Sequence, residues 1–207
     1  MNESSTPKIK LGVSSCLLGE KVRYDSGHKK NSFIVGVLGE HFEFLPFCPE
    51  VSIGLGIPRE TIHLIATDDQ IRCVGTKTKD LDVTEQLIAV ADEQKKWHQE
   101  LCGYLLKSGS PSCGMERVKI YNGSRPERKG VGLYARRLME NFPNLPVEEE
   151  GRLEDAHLRE NFIQRVYIYS RWRSLLKETL TRGKLQKFHA QHKFIFMSHD
   201  QHLAKKL

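Results

Sequence analysis

The sequence predicts an α/β fold, a mostly parallel sheet with flanking helices, followed by a basic α-helical C-terminal extension. Three observations carry this reading. Short apolar runs with strand character (residues 8–14, 42–47 and 103–106) alternate with stretches of helical periodicity. Each of those runs ends in a turn that holds a cysteine: Cys16, Cys48 and Cys113. Residues 151–207 carry 12 Lys/Arg against 5 Asp/Glu, whereas residues 1–150 carry 20 against 21. Such alternation gives a Rossmann-like sheet, and sites in open α/β sheets gather beyond the carboxyl ends of the strands, where all three cysteine turns fall.

In order along the chain, Ile9, Leu11 and Val13 mark a buried first strand that ends in Ser14-Ser15-Cys16. A polar loop follows, dense in functional side chains (Arg23, Tyr24, Asp25, His28). Asn31 or Ser32 caps a helix with Phe33, Ile34, Val37 and Leu38 on one face. Residues 42–47 form a second strand, and the glycine-rich stretch 52–59 is a tight turn without a phosphate-binding pattern. Residues 61–66 and 71–74 read as a β-hairpin about Thr67-Asp68-Asp69-Gln70. Residues 83–99 form an amphipathic helix with Leu87, Val90, Ala91 and Trp97 on one side. The third interior strand, 103–106, feeds a loop of glycines, serines, a proline and Cys113, and a strand (118–121) and a helix (132–142) complete the body. Residues 143–151 are a linker or a last strand. Beyond them 155–180 and 184–199 read as two helices separated at Gly183. Their two apolar stripes must pack on the body, on a partner or on residues absent from this chain, and Phe188, Phe194 and Phe196 read as core. The expected units are residues 8–150 and 152–207, and the chain stops at Lys205-Lys206-Leu207 without a helix-ending signal.

The totals exclude several classes. At 207 residues, 39% hydrophobic and with a mean hydropathy of −0.47, the chain has material for one good core. No run approaches the roughly 20 apolar residues of a membrane span. The polar start lacks a signal-peptide core, so a cytoplasmic protein is expected. Five scattered cysteines are not a disulfide framework. The net charge of +6, concentrated in the final segment, suggests a polyanionic partner. Arg159, Arg165, Arg171, Arg173, Arg182, Lys184 and Lys187 are the candidates for RNA phosphate contact. Oligomeric state is not legible.

No C-x2-C clip marks a zinc site. Cys16, Cys48 and Cys113 can meet only through folding, and three thiolates without a fourth suit an iron–sulfur cluster with one open iron; three unrelated buried cysteines are the alternative. Cys73, within a strand, and Cys102, at a helix end, read as core.

Four runs, Val13-Ser14-Ser15-Cys16-Leu17-Leu18-Gly19-Glu20-Lys21-Val22-Arg23-Tyr24-Asp25, Cys48-Pro49-Glu50-Val51, Gly54-Leu55-Gly56-Ile57-Pro58-Arg59 and Lys107-Ser108-Gly109-Ser110-Pro111-Ser112-Cys113-Gly114, resemble the thiouracil desulfidase family. The segments His157-Leu158-Arg159-Glu160-Asn161-Phe162 and Phe188-His189-Ala190-Gln191-His192-Lys193-Phe194 resemble the start of the helical domain often fused behind it, as in bacterial enzymes that remove sulfur from 4-thiouridine in tRNA. The resemblance implies a [4Fe-4S] cluster on Cys16, Cys48 and Cys113 with one iron open to substrate sulfur, and non-redox desulfuration of a thiolated tRNA or a small thiopyrimidine. It implies that Glu50 manages protons and water, and that Ser110 or Ser108 bonds the base. Ser14, Arg23, Tyr24, Asp25, Lys107 and Ser112 would shape the substrate site. A non-catalytic, metal-containing RNA-binding protein is the reading from another class.

Overall fold

The computed structural model describes residues 7–67, 70–78, 80–123, 125–204 and 206. Asp68 and Asp69 of the expected turn, residues 1–6, and the terminal Lys205 and Leu207 lie outside them. The strands are β1 (Ile9–Ser14), β2 (Phe42–Phe47), β3 (Ile62–Ala66), β4 (Ile71–Gly75), β5 (Tyr104–Leu106), β6 (Val118–Asn122), β7 (Arg125–Gly130) and β8 (Val147–Glu149). The helices are α1 (Gly39–His41), α2 (Pro49–Ser52), α3 (Thr84–Glu93), α4 (Lys95–His98), α5 (Leu133–Asn141), α6 (Ala156–Leu176), α7 (Arg182–His199) and α8 (Gln201–Ala204).

A four-stranded sheet in the order β2-β1-β5-β8 is parallel throughout. Its central strands β1 and β5 are mainly apolar because both faces are covered. Leu11, Val13 and Leu105 enter one core with Phe162 and Val166 of α6. Tyr104, Leu106 and Val147 enter the other with Tyr134 and Leu138 of α5. Parallel pairing sets the carboxyl ends of all four strands along one edge, so every cysteine turn leaves from that edge.

The structure departs from the sequence reading by having a second sheet, β4-β3-β6-β7. It consists of two antiparallel hairpins joined through a parallel β3–β6 pair. The unexpected strand is β7, whose sequence Arg-Pro-Glu-Arg-Lys-Gly has no apolar alternation. It is an exposed edge strand that exists through backbone pairing with β6, and that leaves no period-2 signal.

Local windings also differ from expectation. Asn31 does accept from Ile34 N at 3.0 Å, but residues Phe33–Leu38 wind as a π-helix. That winding buries Ile34 and Leu38 and leaves Val37 48% exposed. The expected helix over 83–99 breaks at Gln94 into α3 and α4. Gly183 lies in the first turn of α7, and the helix starts instead at Thr181, whose hydroxyl accepts from Lys184 N. Phe194 is 84% exposed, not core.

Of the three packing options for the extension, the structure shows α6 on the body. Its start is fixed by Asp155, which accepts from His157 N and Leu158 N. Leu153, Phe162 and Val166 are buried with β1. Helix and strand approach so closely that a Cβ on Gly103 would stand 2.8 Å from Val166 Cγ2. Arg159 donates to Leu153 O, and Arg173 donates to Leu101 O and Gln99 O. α7 then packs on α6 through Trp172 and Phe188 and through Arg171 and His192. Among the described residues no helix is long and apolar enough to cross a membrane.

These cores generate two stability predictions. Phe162→Ala removes a ring that is 1% exposed and should cost about 3–5 kcal/mol in urea unfolding; a loss below about 1 kcal/mol would show that α6 is not part of the body's core. His98 is buried against Tyr134, with Nε2 at 2.7 Å from the phenol oxygen. Burial pulls its pKa down to about 4. Between pH 4 and 6.5 the unfolded chain therefore binds a proton that the folded chain refuses. This contribution is complete above pH 6.5 and is lost as pH falls through the window, by up to about 1.4 kcal/mol per unit. His98→Gln should flatten that slope in a pH series of unfolding curves, and an unchanged slope would contradict the assignment.

Candidate active site

β1 ends at buried Ser14, and the chain turns at once through a 3-10 segment, Ser15–Leu18, that carries Cys16. β2 ends at Phe47; Cys48 precedes α2, whose first residue is Pro49 and whose second is Glu50. Proline's fixed φ pre-sets that first helical turn and places Glu50 at a defined angle to Cys48. β5 ends in loop 107–115. There Ser110 Oγ accepts from Ser112 N at 3.3 Å and Cys113 N at 3.1 Å, a serine turn that fixes the cysteine backbone. The N-terminal amides of α5, orphaned by helix geometry, donate to this loop: Leu133 N to Pro111 O and Ala135 N to Ser112 O. A Cβ on Gly132 would stand 2.5 Å from Ser112 backbone, so only glycine permits that contact.

The three cysteines line one cavity of about 360 Å³, together with Glu50, Arg59, Lys107 and the serines 14, 108, 110 and 112. All five cysteines are free thiols. Burial pushes the Cys16 thiol up to about 11, with Cys48 adding to the effect and Lys107 and Arg23 opposing it. Burial likewise raises Cys48, and raises Cys113 further with help from Cys48 and Glu50. These thiols are therefore protonated and unreactive unless a cation compensates their charge. Cys73 is buried in β4 and Cys102 packs beside the first core, both away from this cavity, as the sequence indicates.

One ion pair stands in the cavity wall and a second reaches it through Lys107. Glu50 Oε2 accepts from Arg59 Nε at 3.1 Å and Nη2 at 2.9 Å, while Oε1 accepts from Ser112 Oγ at 2.6 Å. Arg59 also donates to Val22 O and Gly56 O. Ser110 Oγ lies 2.9 Å from Ser112 Oγ. Because the Ser112 proton points to Glu50, Ser110 is the donor in that pair, and the order Ser110–Ser112–Glu50 is a continuous chain of hydroxyls ending on a carboxylate. The second pair is Lys107 with Glu150. Glu150 also accepts from Ser108 N at 2.8 Å and Ser108 Oγ at 2.7 Å.

These contacts sort the residues expected from sequence. Glu50, Ser110, Ser112 and the three cysteines come together. Ser108 is turned to Glu150, and Lys107 is committed to Glu150 and Ser108, so neither is idle for a substrate. Ser14 lines the cavity with its hydroxyl accepting from Lys107 N. Arg23 and Tyr24 reach the cavity, the guanidinium lying 5.2 Å from the Tyr24 ring centroid. Asp25 does not line it: its carboxylate accepts from Gly27 N and stands 3.5 Å from Arg23 Nε, which holds the loop. Of the helical cations, Arg159, Arg171, Arg173 and Lys184 are used inside the fold. Arg165, Arg182 and Lys187 are exposed. Sequence reasoning gave no role to Arg59 or Glu150. The Pro58-Arg59 step after a glycine turn resembles any loop, and Glu150 resembles the end of an acidic linker.

The match to known proteins begins in the first strand and ends at Glu150. The 2-thiouracil desulfurase family matches residues 11–150. The chain belongs to that family. Among solved structures it is similar to the [4Fe-4S]-dependent thiouracil desulfidase TudS, with 34% identity and a TM-score of 0.57 over 71% of this chain and 94% of that chain. Curated proteins give no match.

The Lys107–Glu150 pair is largely buried, with side chains 17% and 13% exposed. Glu150→Ala would strand the ammonium and release Ser108 N. It should lower unfolding stability by roughly 3 kcal/mol, and Glu150→Gln by less, since the amide oxygen still accepts from Ser108. Equal unfolding midpoints for wild type and Glu150→Ala would show that this pair does not hold the loop.

Proposed function

We propose that this protein is a [4Fe-4S]-dependent desulfidase that converts a thiolated pyrimidine to the carbonyl form, releasing hydrosulfide, with 4-thiouridine in tRNA as the substrate. The convergence of Cys16, Cys48 and Cys113 with an arginine-held carboxylate in one cavity carries this reading. The donor set fits the group: three thiols from three separate turns, with no histidine among the lining residues, supply soft ligands of the kind iron–sulfur clusters take. Cys16, Cys48 and Cys113 would hold it. When bound, the cluster supplies a soft Lewis-acidic iron open to the thiocarbonyl sulfur.

The chain's own residues then account for the protons. Overall, a thiocarbonyl and water give a carbonyl and hydrogen sulfide: the water oxygen stays on the ring carbon and both its protons leave with sulfur. Arg59 orients Glu50 through Oε2, which leaves Oε1 to receive a proton. Ser110 and Ser112 carry that proton from the water to Glu50 by handing their own along, and Glu50 returns it for the departing sulfur. Ser108 and Lys107, turned to Glu150, keep the loop in place, and Arg23 and Tyr24 shape the entrance.

Residues 8–150 form the desulfidase unit in this reading and 152–207 a basic extension that faces RNA, in a cytoplasmic protein whose free cysteines suit a reducing compartment. The exposed Arg165, Arg182 and Lys187 support tRNA over a free base. A free thiouracil is the second reading, supported by the similarity to TudS, which covers 94% of that chain and 71% of this one.

Anaerobic loading with iron and sulfide should produce thiolate-to-iron absorbance that Cys16→Ala, Cys48→Ala and Cys113→Ala each abolish. The loaded protein should consume thiolated tRNA faster than free thiouracil, followed by loss of thio-base absorbance. Glu50→Gln should keep the cluster absorbance and lose about 10²–10⁴-fold in kcat. No turnover of either substrate by loaded wild type would overturn the reading, and turnover of thiouracil alone would favour the second.

A further inference from the structure

Outside the cavity, the β6–β7 hairpin concentrates positive charge that the mechanism does not use. Residues 117–130 hold five Lys/Arg against one Asp/Glu, within a body segment that is otherwise acidic. Lys129 is paired with Glu127. Arg117, Lys119, Arg125 and Arg128 are exposed, and none has an acidic partner among the described residues. Lys119 and Arg128 stand directly opposite each other in the antiparallel register. Like charges so placed destabilise a ladder, and an anion lying across the pair would relieve that repulsion.

Position narrows the choice of anion. Inward positions Val118 and Ile120 are buried, so Lys119 and Tyr121 share the outer face with Arg128. His63 of β3 joins them, its ring edge-on to Tyr121 at 5.2 Å. β6 runs parallel to β3 with Leu64 beside Ile120, so Arg117 and Lys119 lie at the β3 end where Thr61 and Ile62 line the cavity. Arg117 follows Cys113 by only four residues. A cationic sheet face with an aromatic ring, starting at the rim of a cavity for a pyrimidine, has the make-up of a surface that tracks a nucleic-acid backbone.

We propose that the outer face of the β6–β7 hairpin binds the phosphate backbone of an RNA substrate while one of its bases occupies the cavity. This rests on the tRNA reading above and places part of the RNA contact on the desulfidase body, apart from the helical extension. The test is the variant K119Q/R128Q, compared with wild type for tRNA affinity by fluorescence anisotropy over a salt series, without cluster, and for turnover when loaded. The expected result is at least tenfold weaker tRNA binding and a log–log salt slope shallower by about 2. kcat/KM on thiolated tRNA should fall by at least tenfold, with turnover of free thiouracil within twofold of wild type. Unchanged affinity and slope, with wild type binding tRNA, would sink the hairpin surface while leaving the tRNA reading intact. Absence of tRNA binding by wild type would overturn both. Equal loss on thiouracil would show a defect of the cavity, not of docking, and would also reject the surface.

Discussion

The cavity depends on loop 107–115 staying pressed against β8, and the carboxylates of its last residue, Glu149, and of Glu150 just beyond it hold it there. Glu149 and Glu150 reach opposite ends of the loop. Glu149 accepts from Met115 N at 2.7 Å, just past Cys113, and Glu150 accepts from Ser108 N at 2.8 Å, just before it. Hydrogen bonds to charged groups contribute about 1.5–3 kcal/mol each, enough to fix a loop that contains two glycines. Burial raises the Glu149 pKa, and the two amides it receives oppose that rise. The preceding residue, Glu148, is also buried and is satisfied by Arg152. The acidic end of the stretch read in sequence as a linker or a last strand is a row of clamps.

The opposite wall is organised by one guanidinium. Arg59 joins Glu50 to the backbone of Val22 and Gly56, so the carboxylate, the glycine turn and the 22–25 loop move as one piece. A side chain only 6% exposed that meets a carboxylate through two nitrogens leaves Glu50 little rotational freedom. In the proposed reaction, a base whose position is set before substrate arrives would lose less to reorganisation. The two walls also match electrostatically. Glu50 is balanced by Arg59, and Glu150 by Lys107, which leaves the protonated thiols as the centre's uncompensated capacity for negative charge.

Much of this architecture is legible in the sequence because the interior strands announce themselves. Residues around Leu11, Phe44 and Leu105 are apolar on both faces, and each run stops at a cysteine turn. The parallel sheet and its functional edge follow from that pattern together with the resemblance. What sequence does not carry is pairing across distance. Glu50 and Arg59 are nine positions apart and Lys107 and Glu150 forty-three, and no local periodicity connects them. β7 is silent because its stability comes from a neighbour's backbone, and Val37 misleads because a π turn displaces it from the face that an α-helix would give it.

The extension is built into the body through its first helix. That helix supplies Phe162 and Val166 to the same core as Leu11 and Val13, so α6 is not an appendage on a hinge. Arg159 and Arg173, which sequence reserved for phosphate, are drawn into this attachment because a guanidinium can cover apolar surface and still donate to carbonyls at the rim. Arg165, the candidate cation left exposed on α6, is therefore held at a fixed angle to the strands whose ends build the cavity. α7 is tied mainly to α6, through Trp172, Arg171 and Phe188, and presents Phe194 outward. A polyanion on the extension would meet a rigid first helix and a second helix whose own apolar face is incompletely covered. Orientation relative to the cavity is thus set by burial of two apolar side chains, not by charge.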